Sequence, residues 1–334
     1  MQLDQLKRRE FISLLGGIAV TWPLPVHAQQ LSTPVIGFMS ARSPEDSVNV
    51  LQAFHKGLKD EGGFTNGENV KVEYRWARGN YGVLPALAVE LIERRVNVLV
   101  AVGGDASARA AKAATSEIPI VFTISGDPVE AGLVQSTNRP GGNATGCIVF
   151  STGELDAKRL DLMSEIVPGA SLFGVLVNPK YPTAINQARA LEAAATKIGR
   201  ALLIEEASDD AQLEAAFAAL LQKRISALVV ASDPFFDSRR ARIIAFAAEK
   251  RLPAIYQFRD YALEGGLISY GPSIAESYRQ VGVYAGRILK GAKASDLPIT
   301  LPTKYDFVIN MKTAKVLGLT VPLTLQAGAD EVIE

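Results

Sequence analysis

Four polar turns of this chain carry residue types that bind small polar molecules. In two of them the carboxylate of Asp127 or Asp233 could pair with a ligand ammonium group. A third, Gly103-Gly104-Asp105-Ala106-Ser107, precedes a helix-forming stretch, and the free N–H groups at a helix start bind anions. Asn178 lies in the fourth turn. Together these groups are complementary to a zwitterion, with its ammonium on Asp127 or Asp233 and its carboxylate at the helix start.

Plainer structural roles remain open for the same turns. The Gly103–Ser107 segment could be a tight strand–helix turn, and it lacks both the G-x-G-x-x-G pattern and a P-loop lysine, which argues against a nucleotide site. Aspartate or asparagine before proline, as at Asp127, Asn178 and Asp233, is also ordinary turn chemistry in which the side chain bonds nearby backbone. The recurrence of these turns in both halves of the chain favours a shared binding site.

Aromatic side chains cluster near the turns of the second half. They are Tyr181, Phe235, Phe236, Tyr256 and Phe258. Such residues more often belong to a hydrophobic core, but at loop positions they can stack on an apolar solute. Together with the charged groups they favour an amino acid or similar amide with an aromatic or branched side chain. A sugar usually needs more Asn, Gln and charged partners than these turns contain.

The pattern of apolar runs explains how the turns would meet. Val96–Val102 and Ile118–Thr123 are typical of strands buried on both faces, and Ala106–Ala114 between them is expected to form a helix with Asp105 or Ser107 as its N-cap. This order predicts a βαβ unit of a parallel sheet. Ligands bind such sheets beyond the carboxyl ends of the strands, which is where the polar turns fall.

The strand–helix pattern restarts in the second half, so we expect an α/β protein with two doubly wound parallel-sheet lobes joined by a multi-crossing hinge. The expected lobes are residues 33–149 plus 271–300 and residues 150–270 plus 301–334. The expected crossings lie near Ile148–Thr152, Tyr270–Pro272 and Thr300–Thr303. Other predicted elements include an edge strand at Val70–Tyr74, a helix capped by Asp209, a single helix ending at Lys250 and a helix over Ile274–Leu289.

Residues 1–28 match a twin-arginine signal peptide. The pattern Lys7-Arg8-Arg9-Glu10-Phe11-Ile12 precedes an apolar run that is too short to span a bilayer. Val26-His27-Ala28 fits a small-residue cleavage site, so we expect cleavage after Ala28 and a protein free in the periplasm. No cysteine stands directly after that site, which argues against a lipoprotein.

The composition argues against several classes of protein. Lys and Arg together number 35 and so do Asp and Glu, which gives no basic surface for a nucleic acid. Cys147 is the single cysteine, so no internal disulfide is possible, and a small buried apolar role is expected for it. Beyond the signal only His55 remains, which argues against a Ser-His-Asp hydrolase and a histidine-rich metal site. We expect no catalysis, no metal and no cofactor.

Several segments in a fixed order resemble one family, the ABC-transporter substrate-binding proteins that include tryptophan and tyrosine transport receptors. They are the twin-arginine start, PVIGFMS, VEYRWARGNYGVLPALA, PIVFTISGDPVEAGLV, NRPGGNATG, ELDAKRLDLMSEIVPGA, VLVNP and VINMKTAKVLGL. The resemblance implies a type I periplasmic-binding fold, a monomer that closes on a small-molecule ligand, and delivery to an ABC permease in the inner membrane. A two-lobed periplasmic enzyme or ligand sensor is the alternative.

A set of expected ligand contacts follows from the family resemblance and from the strand-end rule, by which ligands bind beyond the carboxyl ends of parallel strands. These are Ser40, Gly104, Asp105, Ser107, Thr123, Ser125, Gly126, Asp127, Asn178, Tyr181, Asp233, Phe236 and Phe258.

Overall fold

The computed structural model describes residues 33–149 and 154–334, which contain two β-sheets. The predicted signal peptide lies outside the described residues, as does part of the expected crossing at Ile148–Thr152. Both sheets carry helices, so the predicted pair of α/β lobes is confirmed.

The first sheet is entirely parallel, with the strand order β2-β1-β3-β4-β5. Its strands are β1 (Val35–Ser40), β2 (Lys71–Trp76), β3 (Val98–Val102), β4 (Ile120–Ile124) and β5 (Ala144–Ile148). The associated helices are α1 (Val48–Gly62), α2 (Leu84–Glu93) and α3 (Asp105–Ala114). Strands β3 and β4 are buried along their whole length, as their apolar runs predict, and β2 lies at the edge.

The second sheet has seven strands in the order β12-β11-β10-β9-β8-β6-β7. Its strands are β6 (Leu172–Val177), β7 (Ala201–Glu206), β8 (Ala227–Val230), β9 (Ala254–Tyr256), β10 (Ile268–Pro272), β11 (Tyr305–Asn310) and β12 (Glu331–Ile333). Strand β11 runs antiparallel to β10, so this sheet is mixed rather than wholly parallel. The other pairs in it are parallel.

The remaining helices are α4 (Glu154–Ile166), α5 (Ala184–Lys197), α6 (Asp210–Gln222), α7 (Pro234–Ser238), α8 (Arg240–Glu249), α9 (Arg259–Leu263), α10 (Ile274–Leu289), α11 (Met311–Leu317) and α12 (Leu323–Gly328). The sequence pattern did not predict α4, α9, α11 and α12. The predicted cap of α6 is confirmed, since the Asp209 side chain accepts from the Gln212 N–H. The single helix expected to end at Lys250 is two helices, α7 and α8, separated at Arg239, which leaves the helical region with φ −112°.

Helix α10 follows a strand of the second sheet but packs against α1 beside the first sheet. Glycines make this close crossing possible, because a Cβ on Gly57 would overlap the Arg279 carbonyl and one on Gly282 would overlap the Phe54 carbonyl. The chain then returns along β5, where the Ile148 N–H donates to the Thr300 carbonyl at 2.8 Å. These placements support our proposal that residues 271–300 belong to the first lobe.

Candidate functional site

A cavity of about 360 Å³ lies where the carboxyl ends of the two sheets face each other. The first lobe contributes Arg42, Gly103, Gly104, Thr123, Ser125 and Val149, which follow or end β1, β3, β4 and β5. The second sheet contributes Tyr181, Ser232, Asp233, Pro234, Asp237 and Phe258, and α10 contributes Ile274 and Tyr278.

Arg42 provides the positive charge in the cavity wall. Its Nη1 donates to Asp237 Oδ2 at 2.9 Å, and its Nη2 donates to the Asp46 carbonyl at 3.0 Å. Burial alone would lower the pKa of Arg42, but the Asp237 and Asp46 carboxylates raise it overall, so the guanidinium stays charged. The pair joins the loop after β1 to helix α7, and therefore joins the two lobes.

Asp233 caps α7, and its carboxylate accepts hydrogen bonds from several neighbouring groups. Its Oδ1 accepts from the Phe235 N–H at 2.8 Å and from Asn178 Nδ2 at 3.1 Å, and its Oδ2 accepts from the Tyr81 hydroxyl at 2.6 Å. Burial nevertheless raises the pKa of Asp233 to about 7, against the opposing effect of the Tyr81 and Asn178 hydrogen bonds. Burial likewise raises the pKa of Asp237 to about 6, although Arg42 opposes the shift.

Tyr181 reaches from the second lobe into the first. Its hydroxyl donates to Asp105 Oδ2 at 3.0 Å and lies 2.9 Å from Ser125 Oγ. Asp105 Oδ2 also accepts from the Ser125 N–H at 2.9 Å, which ties the loop after β4 to the start of α3. Burial, followed by the Asp105 charge, raises the pKa of Tyr181 well above its usual range, so the phenol remains a proton donor.

The apolar part of the wall comes from Val149, Pro234, Phe258, Ile274 and the Tyr278 ring. The Arg42 guanidinium carbon lies 5.9 Å from the centroid of the Phe258 ring, so the charge and the aromatic face are neighbours. The cavity therefore offers one cation, two carboxyl groups and an apolar surface to whatever it encloses.

The structure brings six of the predicted residues into the cavity wall. They are Gly104, Thr123, Ser125, Tyr181, Asp233 and Phe258. Asp105 and Asn178 lie directly behind the wall, where they bond Tyr181 and Asp233 respectively. Ser40 Oγ accepts from the Arg42 N–H at 3.1 Å and so supports the turn that carries this arginine.

Four predicted residues lie outside the cavity wall. Phe236 is fully buried in the hydrophobic core, and Ser107 is buried within α3. Gly126 does not line the cavity, and Asp127 is exposed to solvent. Asp127 Oδ1 accepts from the Val129 N–H at 2.7 Å, which is the turn role left open above. The expected N-cap of α3 is wrong, since Gly104 occupies that position.

Sequence reasoning missed five wall residues, which are Arg42, Val149, Asp237, Ile274 and Tyr278. Arg42 stands in the turn after β1, two residues beyond Ser40, so the strand-end rule could have selected it. Asp237 lies four residues after Asp233, which places it near the same side of α7. Ile274 and Tyr278 follow no strand-end pattern, because they reach the cavity through the packing of α10.

The described residues contain neither a group of side chains suited to a metal ion nor a helix suited to cross a membrane. Within 33–149 and 154–334, no three His, Cys, Asp or Glu side chains are grouped so that they could hold a metal ion. None of the helices in that part of the chain is both long and apolar enough to cross a membrane.

Comparisons with known proteins point to one family. Its sequence profile, described as ABC transporter substrate binding protein, matches residues 35–333. A tyrosine-binding protein of Clostridioides difficile (strain R20291) is 28% identical over 268 residues, which is 80% of this chain and 76% of that protein.

Two solved structures show the same fold. The crystal structure of a conserved domain protein from Vibrio cholerae has a TM-score of 0.81 and 28% identity, and the alignment covers 90% of this chain and 99% of that one. A domain from Streptococcus pneumonia in complex with L-Trp has a TM-score of 0.80 and 22% identity, with 90% and 100% coverage. These likenesses confirm the expected two-lobed fold.

Proposed function

This chain belongs to the ABC transporter substrate-binding protein family and has the type I periplasmic-binding fold, and from that premise we propose that it is the periplasmic solute receptor of an ABC importer. We propose that its solute is an amino acid with an aromatic or branched side chain. The family resemblance expected from the sequence motifs is confirmed by the profile match. Capture in the cavity and delivery to an inner-membrane permease are the steps that the proposal adds.

One observation carries the choice of ligand: both signs of charge lie beside an apolar wall in an enclosed cavity. Asp233 and Asp237 are the acidic members of the wall and Arg42 is the basic one. A zwitterion satisfies both signs, and its side chain would replace water against Phe258 and the α10 residues. A solute with a single charge would lie close to a wall group of its own sign, which is unfavourable.

The two carboxyl groups indicate where the ammonium binds. Burial raises the pKa of Asp233 to about 7 and that of Asp237 to about 6. A ligand ammonium beside them would favour their ionised form and form charge-assisted hydrogen bonds. Asp127, the other acidic candidate from the sequence, is exposed and outside the wall, which favours Asp233 and Asp237 for this role.

The named relatives support an aromatic amino acid. The C. difficile protein carries the name tyrosine-binding protein, and the S. pneumonia domain was crystallised with L-Trp. An aromatic ring is also what the neighbouring Phe258 and Tyr278 would accommodate.

The ligand proposal is tested by a thermal-shift screen of L-amino acids, sugars and inorganic oxyanions, followed by calorimetric titration of the hits. We expect aromatic or branched amino acids to raise the melting temperature. Asp233→Asn removes the charge but keeps a residue that can cap α7, and we expect it to weaken binding about 10-fold or more, as loss of a charged hydrogen bond does. The proposal would be contradicted if a sugar or an oxyanion raised the melting temperature and no amino acid did.

Asp127→Asn is the matched control for that experiment. Asp127 and Asp233 both precede a proline and both accept backbone N–H groups two residues further on, but only Asp233 lines the cavity. The control should bind the amino acid like the unaltered protein. Equal losses in the two variants would show that the cavity carboxylate has no special role.

Export is tested separately. Replacing Arg8 and Arg9 with lysine should keep the precursor in the cytoplasm, because twin-arginine export requires the arginine pair. Normal accumulation of this variant in the periplasm would contradict the twin-arginine assignment without affecting the ligand proposal.

A further inference from the structure

Tyr181 makes a buried side-chain contact between the lobes. It lies in the loop after β6, yet its hydroxyl bonds Asp105 at 3.0 Å, at the start of α3, and Ser125 at 2.9 Å, in the loop after β4. All three side chains are buried. A buried phenol that donates to a carboxylate forms a charge-assisted bond, which is stronger than a neutral one. This bond exists only while the lobes are together.

Tyr181 can approach this closely because Gly104 has no side chain. Its φ is +102°, and a Cβ at this position would overlap the Tyr181 hydroxyl and lie 3.2 Å from two carbons of its ring. The overlapping atoms belong to the opposite lobe, so a side chain here would obstruct the approach of the lobes in addition to straining the backbone at this φ. Gly79 also faces the other lobe, but a Cβ there would lie no closer than 3.1 Å to its neighbours.

We propose that Tyr181 and Gly104 form the closure contact, the contact that couples an occupied cavity to the closed state. Both residues line the cavity, so a bound solute touches the contact directly. The Tyr181 phenol packs against the Gly104 backbone, which has no side chain, and its hydroxyl is held there by hydrogen bonds with Asp105 and Ser125. The coupling to ligand rests on the proposed amino-acid receptor function, whereas the docking of the two residues can be tested without ligand.

A cross-cleft disulfide measures closure directly. A Cβ on Gly126 would lie 3.5 Å from Thr183 Cγ2, a residue of the opposite lobe, so Gly126→Cys with Thr183→Cys can form a disulfide only in the closed state. The rate of disulfide formation with diamide then reports the closed fraction even when closure is rare. Cys147 is buried and does not compete.

Four changes are compared in this double-cysteine background. Gly142→Ala is the matched control for Gly104→Ala, because Gly142 has the same φ of +102° but its nearest neighbour, Lys112 Nζ, is 3.9 Å away. The other two are Tyr181→Phe and the combination of Gly104→Ala with Tyr181→Phe. The control has the same positive φ without touching the other lobe.

We expect Gly104→Ala to slow disulfide formation at least 10-fold relative to Gly142→Ala. Tyr181→Phe should accelerate dissociation of the bound amino acid by about 10-fold to 100-fold in stopped-flow measurements, since it removes one hydrogen bond to a charged group. The combined variant should close faster than Gly104→Ala alone, because the hydroxyl that overlaps the new methyl group is gone. A purely structural glycine would show no such rescue.

Two results would overturn the closure contact: equal disulfide rates in Gly104→Ala and Gly142→Ala, or an unchanged dissociation rate in Tyr181→Phe. If the unaltered protein binds no amino acid, the ligand proposal is wrong. The closure contact is then tested by the disulfide rates measured without ligand, including the faster rate expected for the combined variant.

Discussion

Arg42 of the first lobe and Asp237 of the second form a buried ion pair across the cavity, with 2.9 Å between Nη1 and Oδ2. The other Asp237 oxygen accepts from Gln257 Nε2 at 2.6 Å and from the Tyr261 hydroxyl at 3.2 Å. Both ions are therefore held from several sides in the closed protein. A pair of this kind contributes little when intact, since desolvation offsets the attraction, but it is costly to break.

Loss of Arg42 should destabilise the protein strongly. Arg42→Gln would leave the buried Asp237 without its cation, and we expect the free energy of unfolding to fall by about 3 kcal/mol. Urea denaturation followed by circular dichroism measures this change. Arg78→Gln is the matched control, because the Arg78–Glu45 pair is exposed, with side-chain exposures of 59% and 65%. Exposed pairs contribute about 0–1 kcal/mol, so similar losses in the two variants would contradict the prediction.

Asp233 should give the stability of the ligand-free protein a pH dependence. Burial raises its pKa to about 7, whereas an unfolded aspartate titrates near about 3.9. Since the folded protein retains the proton to higher pH, the contribution of this group is fully present below about pH 4 and is lost as the pH rises through about 7. Asp233→Asn should therefore reduce the fall in unfolding free energy between pH 5 and pH 8.

The measurement is urea denaturation at each pH for the unaltered protein, Asp233→Asn and Asp127→Asn. Asp127 is exposed, so its replacement should leave the pH profile unchanged. A profile for Asp233→Asn that superimposes on that of the unaltered protein would show that Asp233 titrates as it does in the unfolded chain.

The strand-end rule located much of the cavity because it depends only on local pattern and parallel pairing. Thr123, Ser125 and Asp233 follow from it, since buried apolar runs mark the strands and ligands bind where such strands end. It also selected Asp127, because no sequence pattern distinguishes a carboxylate that faces the cavity from one that bonds the next turn. Tyr278 could not be found this way, because its position depends on where α10 packs in three dimensions.

Phe258 should set the preference for aromatic over branched amino acids. It lines the cavity beside Arg42, and an aromatic pair contributes about 0.5–1.5 kcal/mol beyond the buried area. Phe258→Leu keeps an apolar wall but removes the ring, so we expect the ratio of the dissociation constants for leucine and tryptophan to fall by roughly 3-fold to 10-fold. Calorimetric titration with both amino acids measures the ratio. Phe217→Leu, whose ring stacks on Phe246 away from the cavity wall, is the control and should leave it unchanged.

The crossing of α1 and α10 should be intolerant of a single added methyl group. A Cβ on Gly57 would overlap the Arg279 carbonyl of α10, and neither backbone can move aside without disturbing its helix. Although alanine is intrinsically the better helix former, we expect Gly57→Ala to lower the free energy of unfolding by about 3 kcal/mol, the upper end for overpacking. Gly328→Ala is the control, because Gly328 ends helix α12 with no neighbour within 4 Å of its Cβ position. Thermal and urea denaturation should show a change no larger than about 1 kcal/mol there, and a comparably small change for Gly57→Ala would contradict the close crossing that carries Ile274 and Tyr278 to the cavity.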